Sequence, residues 1–260
     1  MLLRSRFKSV DGLEERLREI YSNLAEIEKV ANAKKIPIME PFQGAKIGAF
    51  TVMAPTKAHY LDMIVQSEKT PEAVADDTSR GGLIEGIQRM AARVAHFVKS
   101  AWGVEVFSTE ETSAENEMSV VQYANLCEMK ILLTGDSGRA GLSIAADFAP
   151  SVGLTLPGID RFQIPHHGSR RNVSSEILDR WLGDKLTSLL EENKHKFVGI
   201  ISSAKEDEHH PRKAVIRAVI HRGGKVITTE GSSIWSYKDA PAREGWSALP
   251  GEKYPEEQEE

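Results

Sequence analysis

Three short segments hold the residue types that bind metals. They are Asp136 at the end of Leu133-Thr-Gly-Asp136, His166 with His167 in Ile164-Pro-His-His-Gly-Ser169, and His209 with His210 ahead of Pro211. One carboxylate and two or three imidazoles form an oxygen and nitrogen donor set suited to zinc, manganese or iron. Such a set activates water, and two ions bridged by one Asp also clamp an in-line displacement. Taken singly, each segment has a plainer reading. Asp136 is a fair helix N-cap, His166-His167 a turn pair, and His209-His210 the end of a solvated charged loop after Glu206-Asp-Glu. Their joint position decides for chemistry, because each follows an apolar run that reads as a buried strand.

Those strands must open their loops on one edge of a sheet. Residues 118–126 and 129–134 read as a hairpin of two buried strands around Cys127-Glu128, and residues 161–164 and 198–202 as further strands. A short helix begins at Ser137, and another runs from Ser174 or Ser175 to about His195. His210-Pro211 opens a helix through about His221, ended by Gly223-Gly224. Residues 226–229 and 234–237 read as a terminal strand pair. Upstream, residues 11–35 carry Leu13, Leu17, Ile20, Leu24, Ile27 and Val30 at helical spacing, the pattern of an amphipathic helix covering a sheet. Residues 47–54 read as a strand and 56–66 as a helix capped by Thr56. Residues 67–82 read as a long polar loop, 83–102 as a second amphipathic helix, and 110–117 as an exposed acidic loop. His59 and His96 fit packing or surface roles better than ligation. The class is α/β, with one domain over 1–238 and a disordered acidic tail over 239–260.

Composition narrows the function. The net charge of −5 supplies no basic field toward nucleic acid or membrane, so a phosphate substrate must be held by a local cluster or a metal. The single cysteine, Cys127, excludes an internal disulfide framework and suits a reducing cytoplasm. No signal peptide and no membrane-spanning stretch is read, so a cytoplasmic protein without a membrane partner is expected. Ser169-Arg170-Arg171 could bind a phosphate through backbone amides and guanidinium groups, or form a solvated loop.

Leu133-Thr-Gly-Asp136, Ile164-Pro-His-His-Gly-Ser169, His210-Pro211 and the run Asn116-Glu-Met-Ser-Val-Val together resemble the second half of a metallo-β-lactamase-fold hydrolase. The nearest subgroup contains the nuclease-like domain of competence DNA-uptake proteins. The resemblance spans about residues 116–237. It implies an αββα sandwich with divalent metal, zinc first, at one edge, and metal-activated water attacking a phosphodiester or other phosphate-containing substrate such as a nucleic acid or nucleotide. Asp136 would bridge metals, one of His166 and His167 would ligate or line the site, and His210 would stand at its rim. Arg170 or Arg171 would steady developing charge. The family's His-x-His-x-Asp-His run is absent from this sequence. The expected sandwich is therefore incomplete, lacking its N-terminal metal-motif half. A missing upstream segment or an N-terminal partner chain would complete it. Two other readings follow: a non-catalytic structural or binding subunit, and an unrelated α/β domain with incidental histidines.

Overall fold

The computed structural model describes residues 10–67, 97–191, 193–204, 207, 210–231 and 233–259. The chain divides into two units, one of Met1–Glu40 and Leu61–Ala95, the other of Pro41–Tyr60 and His96–Glu260. In the first unit the helix predicted over 11–35 is two helices, α1 (Val10–Ile20) and α2 (Ser22–Ala33). Tyr21 breaks them with φ −105° and ψ 50°. Ser22 and Asn23 follow the break, and such side chains compete for backbone partners. Along the apolar stripe Leu17 and Ile20 are half-buried, while Leu24 is 62% exposed and Ile27 64%.

The second unit is built on a seven-stranded mixed sheet, so the α/β class holds. β1 (Lys46–Ile47) and β2 (Phe50–Ala54) form a hairpin turned by Gly48 at φ 59°. Helix α3 (Lys57–Gln66) follows and carries the chain from the second unit into the first at Leu61; Thr56 Oγ1 accepts from His59 N at 3.1 Å as its cap. β4 (Val121–Leu126) pairs antiparallel with β2 and with β5 (Met129–Leu133). The Cys127-Glu128 turn between them has positive φ at both residues, the conformation that matches strand twist in a two-residue hairpin. From β5 the sheet runs parallel through β6 (Arg161–Gln163), β7 (Phe197–Ile201) and β8 (Gly224–Thr228).

Four parallel strands in sequential order need three crossovers of one hand, which places the connecting helices on one face. The connecting helices are α5 (Arg139–Phe148), α6 (Ser175–Leu182) and α7 (Lys213–His221), and they follow the short α4 (Ala114–Glu117). Leu132, Phe162, Ile201 and Val226 point into the core with Leu142, Leu178, Trp181, Val215 and Val219. Their neighbours Ile131, Leu133, Val198, Ile200 and Ile227 alternate onto the opposite face and are only half-buried.

Several sequence expectations change. The helix predicted to reach His195 stops at Leu182, where Gly183 turns the chain at φ 94°. Residues 234–237 form no strand: the chain leaves the sheet after Thr229, and the outer edge of β8 is met by residues 249–252. The predicted loop 67–82, apart from Ser67, and the predicted helix 83–102, up to residue 96, lie outside the described residues; residues 97–99 form β3 (Phe97–Lys99) instead. The tail expected to be disordered returns to the domain. Glu252 N donates to Val226 O at 2.8 Å, and β9 (Glu257–Glu259) pairs antiparallel with β3. Polar chain becomes ordered here because its groups find partners. The Glu259 carboxylate accepts from Lys213 N and Ala214 N at 3.0 and 3.1 Å, capping α7. Likewise the predicted exposed loop 110–117 contains buried Glu117, which accepts from Ala140 N and Gly141 N and caps α5.

One buried charge cluster ties the loop before α4 to α6 and α7. The Glu105 side chain is fully buried and bonds Arg222 Nη1 at 2.7 Å, His221 Nδ1 at 2.8 Å and Ser175 Oγ at 2.6 Å. Burial pushes its pKa up, but the bonds from His221 and Arg222 win and hold it at about 2. A depressed carboxylate contributes stability that is full above its ordinary value of 4.5 and is lost as pH falls toward 2. Glu105→Ala leaves the buried Arg222 guanidinium with Asp179 as its one carboxylate partner among the described residues, at 2.6 Å, and takes the carboxylate from His221 and Ser175. It is expected to lower the unfolding free energy by about 3–5 kcal/mol and to flatten the acid limb, read by urea unfolding across pH.

Candidate functional site

The carboxyl ends of β5, β6 and β7 open on one edge because these strands are parallel and in register. Asp136 follows β5, His166 and His167 follow β6, and His210 stands on the loop after β7, just ahead of α7. The structure thus brings together the three segments picked out in the sequence. The His166, His167 and His210 rings are mutual neighbours, with centroids 5.8, 6.0 and 6.4 Å apart. His209 lies outside the described residues.

The loop that carries the two histidines is a left-handed turn. His166, His167 and Gly168 have φ of 46°, 54° and 81°. His166 N donates to Gly135 O at 3.1 Å, which ties the turn to the Asp136 loop. Arg212 N donates to Gly168 O at 3.1 Å, which ties it to the start of α7. A Cβ on Gly168 would meet Pro211 Cβ at 2.9 Å, so the approach requires glycine. Buried Asn172 donates through Nδ2 to Asp136 O at 2.8 Å and Ser137 O at 3.3 Å, while its Oδ1 finds no partner.

Each imidazole is oriented through Nδ1. His167 Nδ1 donates to the Ser202 carbonyl, and His210 Nδ1 bonds Asp207 Oδ2 at 3.1 Å. Both partners accept, so a neutral ring keeps its lone pair on Nε2, the arrangement found behind metal-bound histidines. His166 differs. Asn116 Nδ2 lies 2.8 Å from its Nδ1 and also donates to Thr112 Oγ1 at 2.7 Å. With the amide nitrogen toward the ring, Nδ1 accepts and Nε2 carries the proton.

This donor set fits a divalent ion by chemical type and, for His167 and His210, by ring orientation. It is not closed around one point: among the described residues no group of three His, Cys, Asp or Glu has metal-holding geometry. Three imidazoles on a tetrahedral ion have centroids about 5 Å apart, given Zn–N bonds near 2.0 Å, so these rings stand about an ångström too wide.

Ser169, Arg170 and Arg171 each bond to other protein groups. Buried Ser169 accepts from Arg171 N at 3.3 Å. Arg170 Nη1 donates to Glu259 O at 3.2 Å, and exposed Arg171 pairs with Glu110. Sequence reading missed Asn172, Glu117 and Glu259 as supports of this edge. Asp207 had a local signal, three residues before His210, but was taken as part of a charged loop. Comparison with known proteins gave no match: no family profile, curated protein or solved structure matches the chain.

Burial lowers the pKa of His166, with the Asp136 charge opposing and His167 and Arg171 adding to the effect. Burial also lowers His210, against the bond from Asp207 and with Arg212 and His166. Both folded values lie below the ordinary 6.5, so the unfolded chain binds more protons as pH falls through 6.5. Stability is therefore expected to drop as pH falls through the ordinary value of 6.5 and to level off below the folded values, and His166→Gln with His210→Gln should flatten that limb in urea titrations.

Proposed function

We propose that the second unit is a metal-dependent hydrolase of the metallo-β-lactamase type, acting on a phosphodiester or other phosphate-containing substrate. The observation that carries this reading is the grouping of three imidazole rings within 6.4 Å of one another beside Asp136, at the carboxyl edge of a parallel sheet. A divalent ion, zinc first and manganese or iron next, would activate water and offset phosphate charge when bound. His167 and His210 would hold it through Nε2, with the Asp136 carboxylate. The Ser202 carbonyl and Asp207 fix those rings in the ligating tautomer. His166 would join the set with the Asn116 amide oxygen, rather than its nitrogen, toward Nδ1. Arg171 is the exposed cation of this loop; leaving Glu110 frees it for a phosphate oxygen.

A second reading is a binding module completed by an N-terminal partner. It is favoured by the donor count, since one carboxylate and three imidazoles are short of a two-metal set and the sequence holds no His-x-His-x-Asp-His run. Elemental analysis of the purified chain with a bis-nitrophenyl phosphate assay separates the readings. The hydrolase reading expects about one or more divalent ions per chain, lost with turnover in Asp136→Ala and His210→Ala. Metal without turnover supports the binding module. Absence of both sinks the metal site. Asn116→Asp supplies an acceptor to His166 Nδ1 and is expected to tighten metal binding about tenfold, measured by competition with a chelating dye.

A further inference from the structure

After Thr229 the chain leaves the sheet, and residues 236–248 are all exposed. Two of the protein's four tryptophans lie on this excursion. Trp235 stacks on Tyr237 with ring centroids 4.6 Å apart and planes 23° from parallel. Trp246 stands edge-on to Trp235 at 6.2 Å. The Arg243 guanidinium lies 4.5 Å from the Trp246 ring centroid and 5.6 Å from that of Trp235. Tyr237 is 47% exposed and Trp246 39%. Arg243 makes no ion pair with a carboxylate among the described residues. Aromatic rings grouped and left open in this way are a common mark of a binding surface.

We propose that this excursion is a stacking platform for unpaired bases of single-stranded nucleic acid. The inference rests on the hydrolase reading above and names its substrate class. An open ring face and an uncompensated guanidinium side by side match the two parts of a nucleotide, a base to stack and a phosphate to neutralise. The same charge argues against a cage for a cationic ligand, because Arg243 already fills the space between the indoles and repels a second cation. Duplex bases are stacked on one another and do not offer their faces, so single strands are preferred.

The platform is anchored at the amino end of β6 and at the β4–β5 turn, the end of the sheet opposite the histidines. Ser236 Oγ accepts from Arg161 Nε at 3.0 Å, and Lys238 Nζ lies 3.3 Å from Glu128 Oε2. Arg161 begins β6, whose carboxyl end leads to His166. At strand spacing the two are about 15 Å apart, a reach of a few nucleotides. A strand stacked on Tyr237 can therefore extend along the sheet toward the histidines.

The test is fluorescence anisotropy of a labelled single-stranded oligonucleotide added to the full chain. Wild type is expected to bind it, more weakly as salt rises, and to bind the matching duplex less tightly. Tyr237→Ala with Trp246→Ala should weaken binding about 5- to 150-fold, the span covered by one stacked base, with far-ultraviolet circular dichroism and metal content unchanged. Arg243→Ala should reduce the salt dependence. Equal affinity for duplex, unchanged binding in the double variant, or displacement by tetramethylammonium would each overturn the platform. Hydrolysis of the small bis-nitrophenyl ester reports on the metal edge alone. Loss of that activity with oligonucleotide binding intact defeats the hydrolase reading, and the reverse defeats the platform.

Discussion

The site depends on a left-handed turn made largely without glycine. His166 and His167 both occupy positive φ, a conformation costing a side-chain-bearing residue roughly 1–3 kcal/mol, and only Gly168 takes it freely. The turn persists because it is bonded on both sides, from His166 N to Gly135 O and from Arg212 N to Gly168 O. Strand β5 and helix α7 thus hold the turn in place from either side. A relaxed turn would release these ties and separate His166 from Asp136 and His210.

Two distant carboxylates prepare the same edge. Glu117 caps α5 and Glu259 caps α7, each accepting two backbone N–H bonds while nearly removed from water. These helix N-termini lie beside the candidate donors and would otherwise attract an anion. With both amide pairs occupied, neither helix N-terminus is open to an anion. Gly138 belongs to this arrangement, since a Cβ there would meet Glu117 Oε1 at 2.0 Å.

The end of the described chain acts as structure. Segment 249–252 lies along the edge of β8, with Glu252 N donating to Val226 O and Lys225 Nζ to Leu249 O, which covers an edge that would otherwise offer free ladder groups. Further on, Tyr254 Oη bonds His221 Nε2 at 3.0 Å, and the Pro255 carbonyl accepts from fully buried Arg217 at 2.6 Å. The same stretch meets the candidate site through Glu259 and Arg170. Fold closure and site support are therefore shared by one segment.

The sequence by itself determined the α/β class, the β4–β5 hairpin, strands β6 and β7, helix α7 and the convergence of Asp136, His166, His167 and His210. These are local signals: apolar runs of strand length, Pro and Gly stops, and polar groups at strand ends. Tertiary structure alone decided the rest. Glu259 caps a helix 46 residues earlier in the chain, and its acidic neighbours read as disorder because their partners are remote. Periodicity in residues 11–35 marked an apolar face but held no information on whether anything covers it, and Leu24 and Ile27 are open. Ser169 and Arg170 are typical phosphate-loop residues by type, yet turn bonding and the Glu259 carbonyl claim them. The state of His166 hangs on which end of the Asn116 amide faces it, fifty residues away. Local pattern fixes what a segment can become, whereas the partners of buried polar groups are fixed only when the whole chain is packed.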